Sequence, residues 1–91
     1  MDTSAPDRND HWIRILLHAR AAEMNGENEV HIRTSPAATV RDLKSAIALQ
    51  VPKLAGILAS SAIATDTDYL SDSALLGDET SLHLIPPVSG G

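Results

Sequence analysis

The stretch of this 91-residue sequence best suited to chemistry is its end, Ile85-Pro86-Pro87-Val88-Ser89-Gly90-Gly91. It leaves directly from an apolar run, starts with two prolines and finishes with two glycines. Proline fixes φ, so the first part is a stiff, extended spacer. Glycine lacks a Cβ, so the last part fits a slot too narrow for a side chain. Extended, the segment reaches roughly 20 Å. Such an end can thread into another protein's active site and present a carboxyl group there. A carboxylate is a poor electrophile, but joined to AMP it becomes an acyl-adenylate that a sulfur or nitrogen nucleophile can attack. Glycine suits that step because a Cβ would crowd the approach. A glycine pair alone is weak evidence; at the end of a small strand–strand–helix–strand domain it is much stronger.

Other chemistries find less support. The sequence has no cysteine, which removes disulfides, thiolate metal ligation and thiol nucleophiles. His11, His18, His31 and His83 show no metal-ligand spacing, and structural positions at or near the surface are expected for them. Asp66, Asp68 and Asp72 begin like a calcium loop. The pattern fails because its sixth position is Ser71 rather than glycine and its twelfth is Gly77 rather than glutamate. Trp12 is read as a packing or surface-covering residue. There is no P-loop, dinucleotide fingerprint or Gly-x-Ser-x-Gly elbow.

Length and composition bound the alternatives. Ninety-one residues make one small domain at most, with no room for a cleft between domains. Apolar residues at 43% are too many for a fully disordered chain. The net charge is −5, with one tryptophan, one tyrosine and no phenylalanine. Such a chain lacks the basic surface and the stacking platforms that nucleic acid requires. Residues 1–53 hold seven acids and seven bases, whereas residues 54–91 hold five acids and no base. The second half therefore predicts a negative field and a basic patch on a partner docking there. The polar start MDTSAPDRND has no basic stretch feeding an apolar one, and the longest apolar run is far short of a membrane span. A cytoplasmic protein without membrane association is expected.

The elements that must position the tail follow from hydrophobic spacing. Residues 1–10 read as a flexible arm, 11–85 as the folded domain and 86–91 as an extended tail. Trp12 to Leu17 alternates, with Ile13, Ile15 and Leu17 on one face, and reads as a strand partly covered on both sides. A short helix through Ala19 to Met24 ends at Asn25-Gly26, and Glu29 to Arg33 forms the next strand. Thr39-Val40-Arg41-Asp42 has capping-box spacing. It opens the main helix, about 40–50, whose inner stripe is Leu43, Ala46 and Ile47. Pro52 starts a short second turn in which Leu54, Ile57 and Leu58 pack inward. A strand at Ser61 to Thr65, a turn at Thr65 to Asp68, and a brief strand at Tyr69-Leu70 follow. Gly77-Asp78-Glu79 makes a further turn. Ser81 to Ile85 is the closing strand, and Pro86-Pro87 ends its pairing. The expected fold is α+β: a mixed sheet of four to five strands with one main helix across one face.

With these residues in view, the sequence resembles the family of molybdopterin synthase small subunits, ubiquitin-like sulfur carriers with the β-grasp fold. Leu84-Ile85-Pro86-Pro87-Val88-Ser89-Gly90-Gly91 reads as that family's signature tail. Gly77-Asp78-Glu79, Ile13-Arg14-Ile15-Leu16-Leu17 with Ala19-Arg20, and Thr39-Val40-Arg41-Asp42-Leu43 match its turn, its opening strand and helix, and its long-helix start. The match covers roughly residues 12–91. The sequence departs from the family in having Leu16 and Leu17 where phenylalanine is usual. It also has Asp66 and Asp68 where amide or small residues are usual, and Ser71 to Leu76 match only loosely.

The resemblance implies a mechanism. An E1-like enzyme, using Mg-ATP, adenylates Gly91, and a sulfur donor converts the adenylate to a thiocarboxylate. The tail then inserts into the catalytic large subunit of a heterotetrameric synthase. There sulfur passes to a cyclic pyranopterin precursor, building the molybdopterin dithiolene. Gly91 would bear the reacting carboxylate and Gly90 would give steric access. Ser89, Val88, Pro87 and Pro86 would guide the tail, and apolar sheet surface beside the closing strand would complete recognition. This chain would bind no cofactor or metal and would not be catalytic alone. The alternatives are a sulfur carrier for thiamine or tRNA thiolation, a modifier joined to lysine by an isopeptide bond, and a plain interaction domain.

Overall fold

The computed structural model describes residues 10–87. Positions 1–9 of the expected arm, and Val88, Ser89, Gly90 and Gly91 of the expected tail, lie outside the described residues.

Strand β1 (His11–Leu17) is an interior strand, flanked by β2 (Glu29–Thr34) in antiparallel register and by β5 (Ser81–Ile85) in parallel register. β3 (Ala62–Ala64) runs antiparallel to β5, and β4 (Tyr69–Leu70) closes the other edge, giving the order β2-β1-β5-β3-β4. Helix α2 (Val40–Gln50) lies across one face. This is the β-grasp arrangement.

Alternation decides which side is buried. Ile13, Ile15, Ile32, Ile63, Leu82 and Leu84 are completely inaccessible and meet Val40, Leu43 and Ile47 of α2 in one core. Each such side chain contributes about 2 kcal/mol by leaving water. The opposite face is open. Trp12 on β1 is 55% exposed and Arg14 is exposed, while Leu16 is half-buried, so the outer face of β1 is partly covered at its Leu16 end alone. No second layer exists among the described residues to shield its outer side. Trp12 instead lies under the Arg33 guanidinium, with 5.7 Å from the guanidinium carbon to the ring centre, a cation–π distance.

Helix α2 begins where the capping box requires. The Asp42 N–H donates to Thr39 Oγ1 at 3.2 Å, and the Thr39 N–H donates to Asp42 Oδ2 at 3.0 Å. The Thr39 backbone N–H, then its hydroxyl, hold the Asp42 carboxyl below the ordinary value of 3.8, with a smaller pull from Arg41. Further amides of the first turn are satisfied from the 72–74 segment. Val40 N–H donates to Ala74 O, and Arg41 N–H to Asp72 O, both at 2.9 Å. Lys44 Nζ reaches Asp72 Oδ1 at 3.2 Å. Behind α2, a 3-10 turn at Pro52–Leu54 and helix α3 (Ala55–Leu58) bury Leu54 and Leu58 and partly bury Ile57.

Helix α1 (Arg20–Asn25) ends at Gly26, whose φ of 86° closes the helix in the left-handed region. Its beginning is less regular. Ala19 has φ 51° and ψ −123°, a conformation that costs a residue with a Cβ.

Candidate functional site

β5 sets the root of the tail. Leu82 and Leu84 point into the core, which turns His83 and Ile85 onto the open face of the sheet. Pro86 is buried and Pro87 is exposed. Neither can donate to a sheet ladder, so pairing stops after Ile85. Of the tail residues singled out from sequence, only Pro86 and Pro87 are described.

Around this root the open face carries a short apolar strip. In the ladder, His83 lies beside Leu16 of β1 and Ala64 of β3, and Ala64 lies beside Tyr69 of β4. Ile85 lies beside Ala62. Leu16 and Ile85 are half-buried, while Tyr69 is 73% exposed. A shallow hollow of about 260 Å³ opens here, lined by His18, His83, Ile85, Asp66 and Tyr69 among others.

The hollow contains a polar chain that spacing alone did not reveal. His18 Nε2 lies 2.8 Å from His83 Nδ1, and His83 Nε2 lies 2.7 Å from Asp66 Oδ1. The imidazole rings stand 5.0 Å apart, tilted by 32°. His18 follows β1, His83 sits in β5 and Asp66 occupies the β3–β4 turn, so the chain ties three segments together. Only the alternation of β5 hinted at it, by putting His83 opposite Leu82 and Leu84.

The remaining singled-out residues disperse. His11 Nε2 is 3.1 Å from the Glu79 carbonyl oxygen, and His31 Nε2 is 3.7 Å from Glu29 Oε2. Asp66 engages His83, Asp68 accepts from the Thr67 hydroxyl at 3.0 Å, and Asp72 accepts from Lys44. The three carboxylates thus serve different partners. Among the described residues no three His, Cys, Asp or Glu side chains are grouped to hold a metal ion, and no helix is long and apolar enough to cross a membrane.

Comparison with known proteins fits this geometry. The chain is 30% identical over 79 residues to the molybdopterin synthase sulfur carrier subunit of Arabidopsis thaliana, covering 87% of this chain and 82% of that protein. It is also 30% identical over 81 residues to the subunit of the same name from Chlamydomonas reinhardtii, covering 87% and 98%. Its fold superposes on the crystal structure of SAMP1 from Haloferax volcanii with a TM-score of 0.73 at 24% identity, covering 89% of this chain and 100% of that one. The profile of the ThiS family matches residues 15–91. The chain therefore belongs to the ThiS family of sulfur carriers and is a homologue of the molybdopterin synthase small subunit.

Proposed function

We propose that this chain is the sulfur carrier of a molybdopterin synthase. The observation that carries this reading is the 30% identity to two such subunits over 87% of the chain, joined to a family match that runs through Gly91. In this proposal a carboxylate oxygen of Gly91 attacks the α-phosphorus of ATP on an E1-like enzyme, and pyrophosphate leaves. Hydrosulfide delivered by a sulfur donor then adds to the acyl carbon, the bond to the phosphate oxygen breaks, AMP leaves with loss of a proton, and a thiocarboxylate remains. The large subunit takes up the tail, and its catalytic groups move the sulfur to a cyclic pyranopterin precursor.

This chain's own residues position and expose. Leu82 and Leu84 fix β5 in the core, and Pro86 and Pro87 free the chain from the sheet. Val88 and Ser89 would guide the tail, and Gly90, without a Cβ, would give steric access to Gly91. The strip of Leu16, Ala62, Ile85 and Tyr69, over the buried Ala64, offers the apolar contact that holds the domain while the tail is engaged. In this reading the acid–base work falls to the partners.

The test is the mass of the tail. The protein is incubated with the E1-like enzyme, Mg-ATP and a sulfur source, then digested with trypsin. No lysine or arginine follows Lys53, so the peptide runs from Leu54 to Gly91 and excludes Met1 and Met24. That matters because methionine oxidation adds nearly the same mass as exchanging oxygen for sulfur. A sulfur-for-oxygen shift localised to Gly91, followed by conversion of the pyranopterin precursor with the large subunit, is the expected result. An unmodified Gly91, under conditions that thiocarboxylate a known carrier, would overturn the proposal.

A further inference from the structure

The Asp66–His83–His18 chain has a direction. An ionised carboxylate only accepts, so the hydrogen on His83 Nε2 points to Asp66. In the neutral chain His83 Nδ1 is then an acceptor, and the hydrogen between the rings belongs to His18 Nε2. The one nitrogen left over, His18 Nδ1, carries a lone pair. Adding a single proton changes this. With both hydrogen bonds kept, one hydrogen stays on His83 Nε2 and one stays between the rings. The third must sit on His18 Nδ1, whichever ring holds the shared hydrogen. One proton from solvent therefore converts that atom from acceptor to donor, makes the imidazole pair positive and takes the chain with Asp66 from one negative charge to none. A further proton would set two N–H groups against each other at 2.8 Å and part the rings.

The surroundings are one-sided. The titratable groups that line the hollow with the two histidines are Asp66 and Asp68 from the β3–β4 turn and Tyr69 from β4. β5 adds Ile85, and the neighbour on β1 is Leu16, both uncharged. Glu29 of β2 lies beyond Leu16, with Arg14 at 2.9 Å and His31 at 3.7 Å. No lysine or arginine lines the hollow, and none follows Lys53 in the sequence.

We propose that Asp66, His83 and His18 form a one-proton switch within the docking face. Deprotonated, His18 accepts a hydrogen bond from a lysine or arginine of the partner, drawn in by Asp66 and Asp68. Protonated, it offers a donor and a positive charge, and repels that side chain. This inference rests on the docking role of the face proposed above. Imidazole changes charge between pH 5 and 8, so docking of the sulfur carrier becomes sensitive to mild acid.

The experiment has two arms. In the free protein, nitrogen NMR of the imidazoles follows His18 and His83 from pH 5 to 8.5. At pH 8.5 both rings are expected as the Nε2–H tautomer, with His18 Nδ1 the atom that gains a hydrogen on acidification, and the exposed substitution Asp66→Asn is expected to release the His83 tautomer. In the second arm, the affinity for the purified synthase large subunit of the same organism is measured at pH 8 and pH 5.5. About tenfold weakening at the lower pH is expected, the worth of one charge-assisted hydrogen bond, with little pH dependence left in His18→Gln. The Nδ1–H tautomer on either ring at pH 8.5, or a hydrogen gained on His83 Nδ1 in place of His18 Nδ1 on acidification, would overturn the switch. Affinity that varies with pH equally in the wild type and in His18→Gln would overturn its role in docking. Absence of binding at every pH would overturn the docking reading itself, and the inference with it.

Discussion

Gln50, the last residue of α2, bonds both backbone groups of Arg33 on the edge strand β2. The Arg33 N–H donates to Gln50 Oε1, and Gln50 Nε2 donates to the Arg33 carbonyl, each at 3.0 Å. The primary amide thus takes the place of a missing neighbouring strand. Both bonds are solvent-exposed, so water replaces them in part when they are lost. Gln50→Ala is expected to lower unfolding free energy by about 1 kcal/mol and to speed hydrogen exchange of the Arg33 amide. Gln50→Glu, which keeps the acceptor and loses the donor, should fall between. Urea unfolding and amide exchange check both, and unchanged exchange at Arg33 would remove the clasp from the account.

Ala19 offers a substitution in the stabilising direction. Its φ of 51° with ψ of −123° places a Cβ where the backbone tolerates it poorly. Glycine carries no such penalty but loses more entropy on folding. The net expectation for Ala19→Gly is a gain of about 1 kcal/mol, read as a higher urea midpoint at constant slope. A loss of stability would mean that the entropy glycine gives up on folding outweighs the strain relieved at Ala19.

What could be read from sequence follows from how local each signal is. Helix α2 was legible because its start is written in four adjacent residues, Thr39 to Asp42, and its stripe in the next turns. β5 was legible because Ser81 to Ile85 alternates and two prolines end it. β3, expected over Ser61 to Thr65, spans only Ala62–Ala64, because Thr65 Oγ1 accepts from the N–H groups of Thr67 and Asp68 and turns the chain. The apposition of His18 and His83 had no local signal. It depends on the parallel register that sets Leu17 beside Leu84, and residues 65 apart meet only once the whole sheet is assembled. The chemistry expected of the tail rests on the opposite kind of signal, the order of its own residues, and Val88 to Gly91 lie outside the described residues.

Leu84 tests the anchoring of the tail root. It is fully buried between β1 and β3, two residues before Pro86. Leu84→Ala is expected to cost about 2–5 kcal/mol, the range for a leucine truncated in a packed core. That is a large share of a small domain's stability, so the measurement is the urea midpoint at low temperature. A cost below about 1 kcal/mol would show that β5 is not held by this contact.

The capping box gives stability a pH dependence of known sign. The Asp42 carboxyl is lowered in the folded chain, chiefly by the Thr39 N–H, so the unfolded chain binds this proton more readily. Its contribution is therefore present above the ordinary value of 3.8 and is lost as pH falls through the lowered folded value. The stability difference between the wild type and Asp42→Asn should shrink as acid is added across that window. Thr39→Ala, which removes the other half of the box, should cost about 1 kcal/mol at neutral pH. A wild-type advantage over Asp42→Asn that grows on acidification would contradict the assignment.

Tyr69 separates docking from folding. Its side chain is largely exposed on the shortest strand of the sheet, so Tyr69→Ala should alter stability by no more than about 0.5 kcal/mol. On the docking face, however, an aromatic side chain is the residue type that most often anchors an interface. Affinity for the synthase large subunit is expected to fall about tenfold, with the unfolding curve nearly unchanged. The acids after Lys53 add a second signature: association should slow as ionic strength rises, and Asp68→Asn should flatten that dependence. Calorimetry supplies the affinities and stopped-flow mixing the rates. Tyr69→Ala binding as tightly as the wild type would move the contact surface elsewhere on the domain, while salt-independent association would remove the charge argument and leave the apolar one standing.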